Sequence, residues 1–303
     1  MMKVIKRVPI PICGVALALL TLGNLLQSYG EWLRQICGSL AVIFLILLLI
    51  KGVNYTDIIK QDLKNPIQAS VISTLPMALM ILSGYLKSVM VWRIALCIHI
   101  AWMLYFTINF MVKPKLQQIF ASYFIVYVGI GAAAVTAPQF GQYKIGELIV
   151  WFGIISFIIL LTIITARYIK IKEIPEPAKP LICIYAAPVS LCLVGYLQCA
   201  ESKSESVVVG LFLVSVVFYI FALWKAICYL RLPFFPSYAA FTFPFAISAV
   251  AVKQTKGYFM NIGKPISGIG LLEKVEMFVA IILIAYVSVR FVMFLLKAER
   301  ENC

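Results

Sequence analysis

Phe241-Thr242-Phe243-Pro244-Phe245 lies inside an apolar run from Pro236 to Val252, long enough to cross a bilayer as a helix. Proline lacks a backbone donor and clashes with the carbonyl four residues back, so a helix built from this run breaks or kinks at Pro244. Lipid cannot hydrogen-bond the freed backbone. Such a break survives only where protein or a water-filled cavity meets it. Pro244 therefore points to a cavity, and the ring before it, Phe243, is a candidate plug.

The rest of the chain sets this run among others like it. The 303 residues are 63% hydrophobic and 13% charged, whereas a soluble domain carries about a quarter charged residues. The expected class is an all-α integral membrane protein, with 1–303 as a single transmembrane domain. A net charge of +14 could serve nucleic acid. Here the basic residues sit in short loops between apolar runs, which is a topology signal, and no nucleic-acid partner is expected. The apolar run Val8 to Leu26 exceeds the roughly 7–15 residues of a signal-peptide core and reads as a retained first helix.

Ten stretches are long enough to span, at about 9–28, 31–53, 68–87, 89–112, 119–138, 145–170, 179–199, 206–230, 236–256 and 273–297. The odd-numbered ones begin near 9, 68, 119, 179 and 236, a recurrence of roughly 50–60 residues that predicts five stacked helical hairpins. Prolines gather at the starts of the odd stretches (Pro9, Pro11, Pro66, Pro114, Pro177, Pro180, Pro233, Pro236) and inside or at the ends of them (Pro76, Pro138, Pro188, Pro244). The even stretches contain none. This segregation predicts an inner, broken, odd set around a central pore and an outer, straight, lipid-facing even set. Roughly two-thirds of the 26 Lys and Arg fall on the side of the two termini, and the 12 acidic residues divide evenly. The positive-inside rule then places both termini in the cytoplasm, and the expected location is a plasma (inner) membrane.

No catalytic signature of the H-E-x-x-H, G-x-S-x-G or phosphate-loop kind occurs, so no enzyme activity and no cofactor are expected. One histidine, His99, excludes a histidine metal cluster, and the eight cysteines form no C-x-x-C pair and read as small hydrophobes. Asp57 and Asp62 read as a loop balancing its lysines, and Gly263, Gly268 and Gly270 as an ordinary turn. His99 reads as packing and Arg290 as snorkelling or pairing across a helix interface. No Asp or Glu is expected buried mid-span, which disfavours a carboxylate-based proton mechanism.

Charge at the mouths then has to select the ion. The odd helices run in one direction, so their positive dipole ends gather at the cytoplasmic mouth. Lys64, Lys113, Lys115, Lys179 and Arg231 lie near those ends, and Lys253, Lys256, Lys264 and Lys274 on the far side. Positive mouths on a low-dielectric funnel concentrate anions. Positive-inside bias explains the cytoplasmic lysines without a pore, but not the outer ones. Small residues such as Gly14 and Gly129 in the odd helices either let backbones pack closely or leave a lumen unfilled, and the sequence does not separate the two. Phenylalanine is common in any apolar helix; its place beside Pro244 is what singles out Phe243, since an apolar ring across a narrow path stops ions by dewetting.

Phe241-Thr242-Phe243-Pro244 resembles the aromatic-Thr-Phe-Pro of the ninth helix in the tellurite-resistance/dicarboxylate transporter family, the slow anion channel and tellurite-resistance protein A type. Gly14-x-Ala16-Leu17-Ala18 through Leu22-Gly23-Asn24, Leu75-Pro76-Met77, Tyr127-Val128-Gly129 and Ala187-Pro188-Val189-Ser190-Leu191 support the resemblance in order and spacing. It implies five hairpins in a ring, odd helices lining the pore, a phenylalanine gate at Phe243 and homotrimers with one pore per subunit. The expected lining positions are Gly14, Pro76, Gly129, Pro188, Phe241 and Pro244. The function expected is an anion channel or facilitator for small inorganic or organic anions. The alternative is an ion-coupled carrier of dicarboxylates or sulfite.

Overall fold

The computed structural model describes residues 2–300, the side chains of 3 and 298–300 apart; residues 1 and 301–303, which the expected single domain includes along with Cys303, lie outside it. In chain order the helices are α1 (Met2–Arg7), α2 (Ile12–Leu26), α3 (Glu31–Asn54), α4 (Thr56–Asp62), α5 (Pro66–Val71), α6 (Thr74–Leu86) and α7 (Val89–Phe106). After them come α8 (Tyr123–Tyr127), α9 (Gly131–Thr136), α10 (Tyr143–Lys170), α11 (Ala187–Cys199), α12 (Glu205–Tyr229), α13 (Phe243–Asn261) and α14 (Ile269–Arg300). Tighter 3-10 turns cover Ala137–Phe140, Glu176–Ala186 and Pro236–Phe241.

Among the described residues, eight helical stretches are long and apolar enough to cross a membrane: Ile12–Tyr29, Glu31–Asn54, Pro66–Leu86, Val89–Met111, Tyr143–Lys170, Glu176–Cys199, Glu205–Tyr229 and Ile269–Lys297. The chain is thus an all-α membrane protein. Two of the ten expected stretches fall short, each for a local reason. The 119–138 run is cut into the short helices α8 and α9. The 236–256 run is cut at Thr242, and its helical part carries Lys253 and Lys256.

Proline and glycine make these cuts. Pro76, Pro188 and Pro244 each sit in the first turn of the helix that resumes after a break, α6, α11 and α13, where a missing N–H forfeits no helical bond. Between α8 and α9 the cut comes from Gly129. A Cβ there would lie 2.6 Å from Met77 Sδ and 2.0 Å from the Ile125 carbonyl oxygen, so only glycine fits where Met77 crosses.

The broken segments keep their carbonyls satisfied by borrowing donors from straight neighbours. One face of α7 presents Trp92, His99 and Trp102, spaced seven and three residues apart as a helix requires. Trp92 Nε1 donates to Ala133 O (3.2 Å), His99 Nε2 to Val126 O (2.9 Å) and Trp102 Nε1 to Ala69 O (2.8 Å). Since a carbonyl only accepts, the His99 proton in that bond is on Nε2. Within the buried set itself, Tyr85 OH of α6 donates to Leu20 O of α2 at 2.6 Å. An unmet buried acceptor costs about 1–3 kcal/mol, so this stripe is what makes the breaks tolerable.

Burial separates two sets of helices. The apolar windows of Ile12–Tyr29, Pro66–Leu86 and Glu176–Cys199 are 67% to 94% buried, while those of Glu31–Asn54, Val89–Met111, Tyr143–Lys170, Glu205–Tyr229 and Ile269–Lys297 are 17% to 33% buried. The exposed side of the second set is a belt of large apolar side chains, Leu49, Leu148 and Val217 among them. The two cut runs, with α8–α9 and α13, are largely buried as well and make five buried segments with the first set: α2 packs on α6, α6 on α9, α9 on α11, α11 on α13 and α13 back on α2, so the contacts close a cycle.

Several polar side chains depart from a plain hydrophobic reading. Lys51 is buried, donates to Val8 O at 2.8 Å and pairs with Asp62 at 3.5 Å, which uses one of the two loop aspartates. Arg290 bonds Tyr286 OH at 3.1 Å and lies over the Phe234 ring. Gly263 and Gly268 take positive φ in the turn before α14, which glycine allows. The expectation of no buried acid fails at Glu276. Helix α14 begins at Ile269 rather than near 273, so Glu276 lies two turns inside it and is fully buried.

Candidate functional site

The five buried segments surround a cavity of about 370 Å³. Its lining starts at the N-terminal ends of the segments, with Pro11, Asn65, Pro175 and Phe235, and stops at one level, with Gly14, Met77, Gly129, Leu191 and Pro244. Beyond that level none of the five contributes to it. Phe243 stands at this inner end, 7% exposed.

The lining is mostly apolar, relieved by Asn65, Gln68, Thr74 and Ser237, and among the described residues no charged side chain belongs to it. Three helices, α6, α11 and α13, begin beside it, and none has a side-chain cap on its first turn. Their N-terminal ends therefore lie at the cavity; some of their N–H groups bond the preceding turn (Leu75 N to Ile72 O, Ala187 N to Ile184 O), so each end presents only part of a free helix end's positive charge. Sequence alone puts those ends at the mouth; the proline breaks carry them to the depth of Phe243.

Of the expected lining residues, the structure brings Gly14, Gly129, Pro188, Phe243 and Pro244 together around this space. Pro76 and Phe241 lie elsewhere. Phe241 is fully buried against Tyr238, with ring centroids 4.8 Å apart, because the backbone turns at Thr242 between it and Phe243. Pro76 is buried while its neighbours Thr74 and Met77 face the cavity. Sequence reasoning placed Thr74 among the small residues of the inner helices but did not give Met77 or Leu191 as lining. The signal was present: Gln68, Val71, Thr74 and Met77 recur every three residues, as one face of a tight helix does.

The basic residues sit outside the lining. Lys64, Lys113, Lys115 and Arg231 are exposed, and Lys179 pairs with Glu176 at 3.6 Å. On the opposite side Lys253 donates to Leu25 O (2.8 Å) and Ser28 Oγ (2.7 Å), tying α13 to the end of α2. Lys256 is bonded to Glu273 and Lys264 to Glu205, whose carboxylate holds Lys264 above the ordinary lysine range. Much of the outer positive charge is thus matched by acids. A polar recess of about 850 Å³, lined by Gln117, Gln118 and the buried Arg167, adjoins the cavity through Asn65, Ile67 and Pro175. Arg167 lies over the Phe120 ring and donates to the carbonyls of Ile171 and Glu173 at 3.3 and 3.4 Å.

Comparison with curated proteins gave no match. A family model described as SLAC1, voltage-dependent anion channel, matches residues 8–295 and so takes in every segment that lines the cavity. These findings agree with a multi-pass membrane protein that moves anions, and on them the chain belongs to the SLAC1 voltage-dependent anion channel family.

Proposed function

We propose that this chain is an anion channel or facilitator whose path follows the central cavity and is shut by Phe243. One observation carries the reading: the lining contributed by all five buried segments ends at a single level, and Phe243 stands there. An apolar ring at a narrow point keeps ions out by dewetting rather than by charge. The three uncapped helix starts supply a positive field at the same depth with no buried cation, which favours an anion in the cavity over a cation.

In this reading the chain crosses the bilayer ten times as five hairpins. The cut runs 119–138 and 236–256 count as spans because their breaks are buried in protein, the first with carbonyls met by Trp92 and His99. Both termini lie in the cytoplasm of a plasma (inner) membrane, as the loop charges favour, and the cavity opens to that side. Assembly as a homotrimer rests on the family resemblance alone. A planar bilayer containing purified Phe243→Ala protein tests the function. The reversal potential is expected to follow the gradient of chloride, nitrate, sulfite or malate. A reversal potential indifferent to every anion gradient would overturn the reading. Substrate movement that alters lumenal pH in liposomes, without electrogenic flux, would favour a coupled carrier.

A further inference from the structure

Behind the helix that carries Phe243 lies a group of buried polar atoms with no partners. Both carboxylate oxygens of Glu276, Ser248 Oγ and Tyr219 OH are buried, and none closes a hydrogen bond. They come from three helices, α14, α13 and α12. The Ser248 hydroxyl faces the Glu276 carboxyl, and Tyr219 is within electrostatic reach of it. Tyr219 also packs edge-on against Phe245, with centroids 5.6 Å apart. At 100° per residue, Phe245 and Ser248 stand about 200° and 140° around α13 from Phe243. The cluster is therefore on the face of the helix opposite the cavity.

Among the described residues no cation meets the acid. Along α13, Lys253 is bonded to Leu25 O and Ser28, Lys256 to Glu273, and Tyr258 lies nearer the outer end. In α14, Glu273 is the partner of Lys256, Lys274 points outward, and Tyr286 and Arg290 lie several turns further on and bond each other. In α12 the facing titratable group is Tyr219. Helix α2 offers only Cys13, which bonds Thr74, and α1 brings Lys6 and Arg7 toward the far end of α14. A carboxylate removed from water with no cation to meet it and only the two hydroxyls beside it is strongly disfavoured, whereas a protonated carboxyl is neutral and can both donate to and accept from Ser248 and Tyr219.

We propose that Glu276, with Ser248 and Tyr219, is a proton-binding site that couples pH to the position of the gate helix. Loaded with a proton, Glu276 sits within the packing described here. When the proton leaves, the charge must draw in water, and α13 and α14 separate to admit it. Glu276 is about 10 Å along α14 from its start, one turn beyond the Lys256–Glu273 pair at the outer rim, so the proton comes from that side. The coupling rests on Phe243 being the gate; the proton site does not.

The test is anion efflux from liposomes holding the full-length protein, stepped from acidic to alkaline pH at constant sodium. Wild-type efflux is expected to rise severalfold. Glu276→Gln, which keeps the shape and has no proton to lose, should hold the acid-side rate throughout. A second readout needs no conduction: the protonated-carboxyl C=O stretch in infrared difference spectra should vanish on alkalinisation of wild type and be missing from Glu276→Gln. A pH response identical in Glu276→Gln and wild type overturns the coupling. So does wild-type efflux that ignores pH but changes when sodium is exchanged for a bulky cation. Absence of the titrating band from wild-type protein overturns the site. If Phe243→Ala conducts no better than wild type, the gate assignment fails, while the infrared result still judges the proton site.

Discussion

Replacing Phe243 by alanine isolates the gate, and its size can be worked from the structure. The ring is 7% exposed at the inner end of the cavity. For an ion to pass, it must leave this packed position and face water. Exposing a buried phenylalanine side chain costs about 1.5–3 kcal/mol. Each 1.4 kcal/mol is tenfold, so a channel that opens only when the ring leaves is held back about ten- to a hundredfold. Alanine abolishes that step, because a methyl group cannot reach across. Gly14 and Gly129 at the same level have no side chains to take its place; Met77 and Leu191 remain and limit the gain. Phe243→Leu keeps much of the apolar bulk and should fall between the two. Chloride efflux from liposomes at matched protein content, with potassium and valinomycin clamping the potential, measures the ratio. Efflux from folded Phe243→Ala that equals wild type would refute the reasoning, since closure would then lie at another level.

Two further substitutions test the scaffold. Gly129→Ala puts a Cβ against Met77 Sδ and the Ile125 carbonyl; overpacking of this kind costs about 1–3 kcal/mol, and a lower melting temperature in detergent is expected, an unchanged one being contrary. His99→Ala strips Val126 O of its donor and should lower stability by about 1–3 kcal/mol while conductance per folded protein stays the same. A large loss of flux in protein that remains folded would move His99 into the mechanism.

Much of the architecture was legible because lipid leaves a chain few choices. Apolar length marks the spans, and proline marks the breaks, so the division into broken and straight helices could be read from Pro76, Pro188 and Pro244 before any coordinates. Their partners could not. That His99 serves Val126, with Trp92 and Trp102 serving the same broken wall, depends on which face of α7 turns inward, and apart from Arg93 and His99 α7 is apolar on every side. Glu276 was misread for a related reason: an acid near a helix end passes for a rim residue unless the true start of the helix is known. The outer lysines were read as a field, but Glu273 comes to Lys256 from the next helix and Glu205 to Lys264 from a distant part of the chain.

Composition, hydrophobic length and the spacing of prolines by themselves determined that this is a helical membrane protein with interrupted segments, and local sequence marked Phe243 as the ring beside the sharpest interruption. Only the tertiary structure decided that the cavity lining of the four interrupted segments and of unbroken α2 ends at one depth, that Phe241 turns into the protein while Phe243 meets the cavity, and that Glu276 is left without a partner. The first set follows from bonds each segment must make within itself. The second depends on how segments far apart in sequence meet, and no local pattern encodes that.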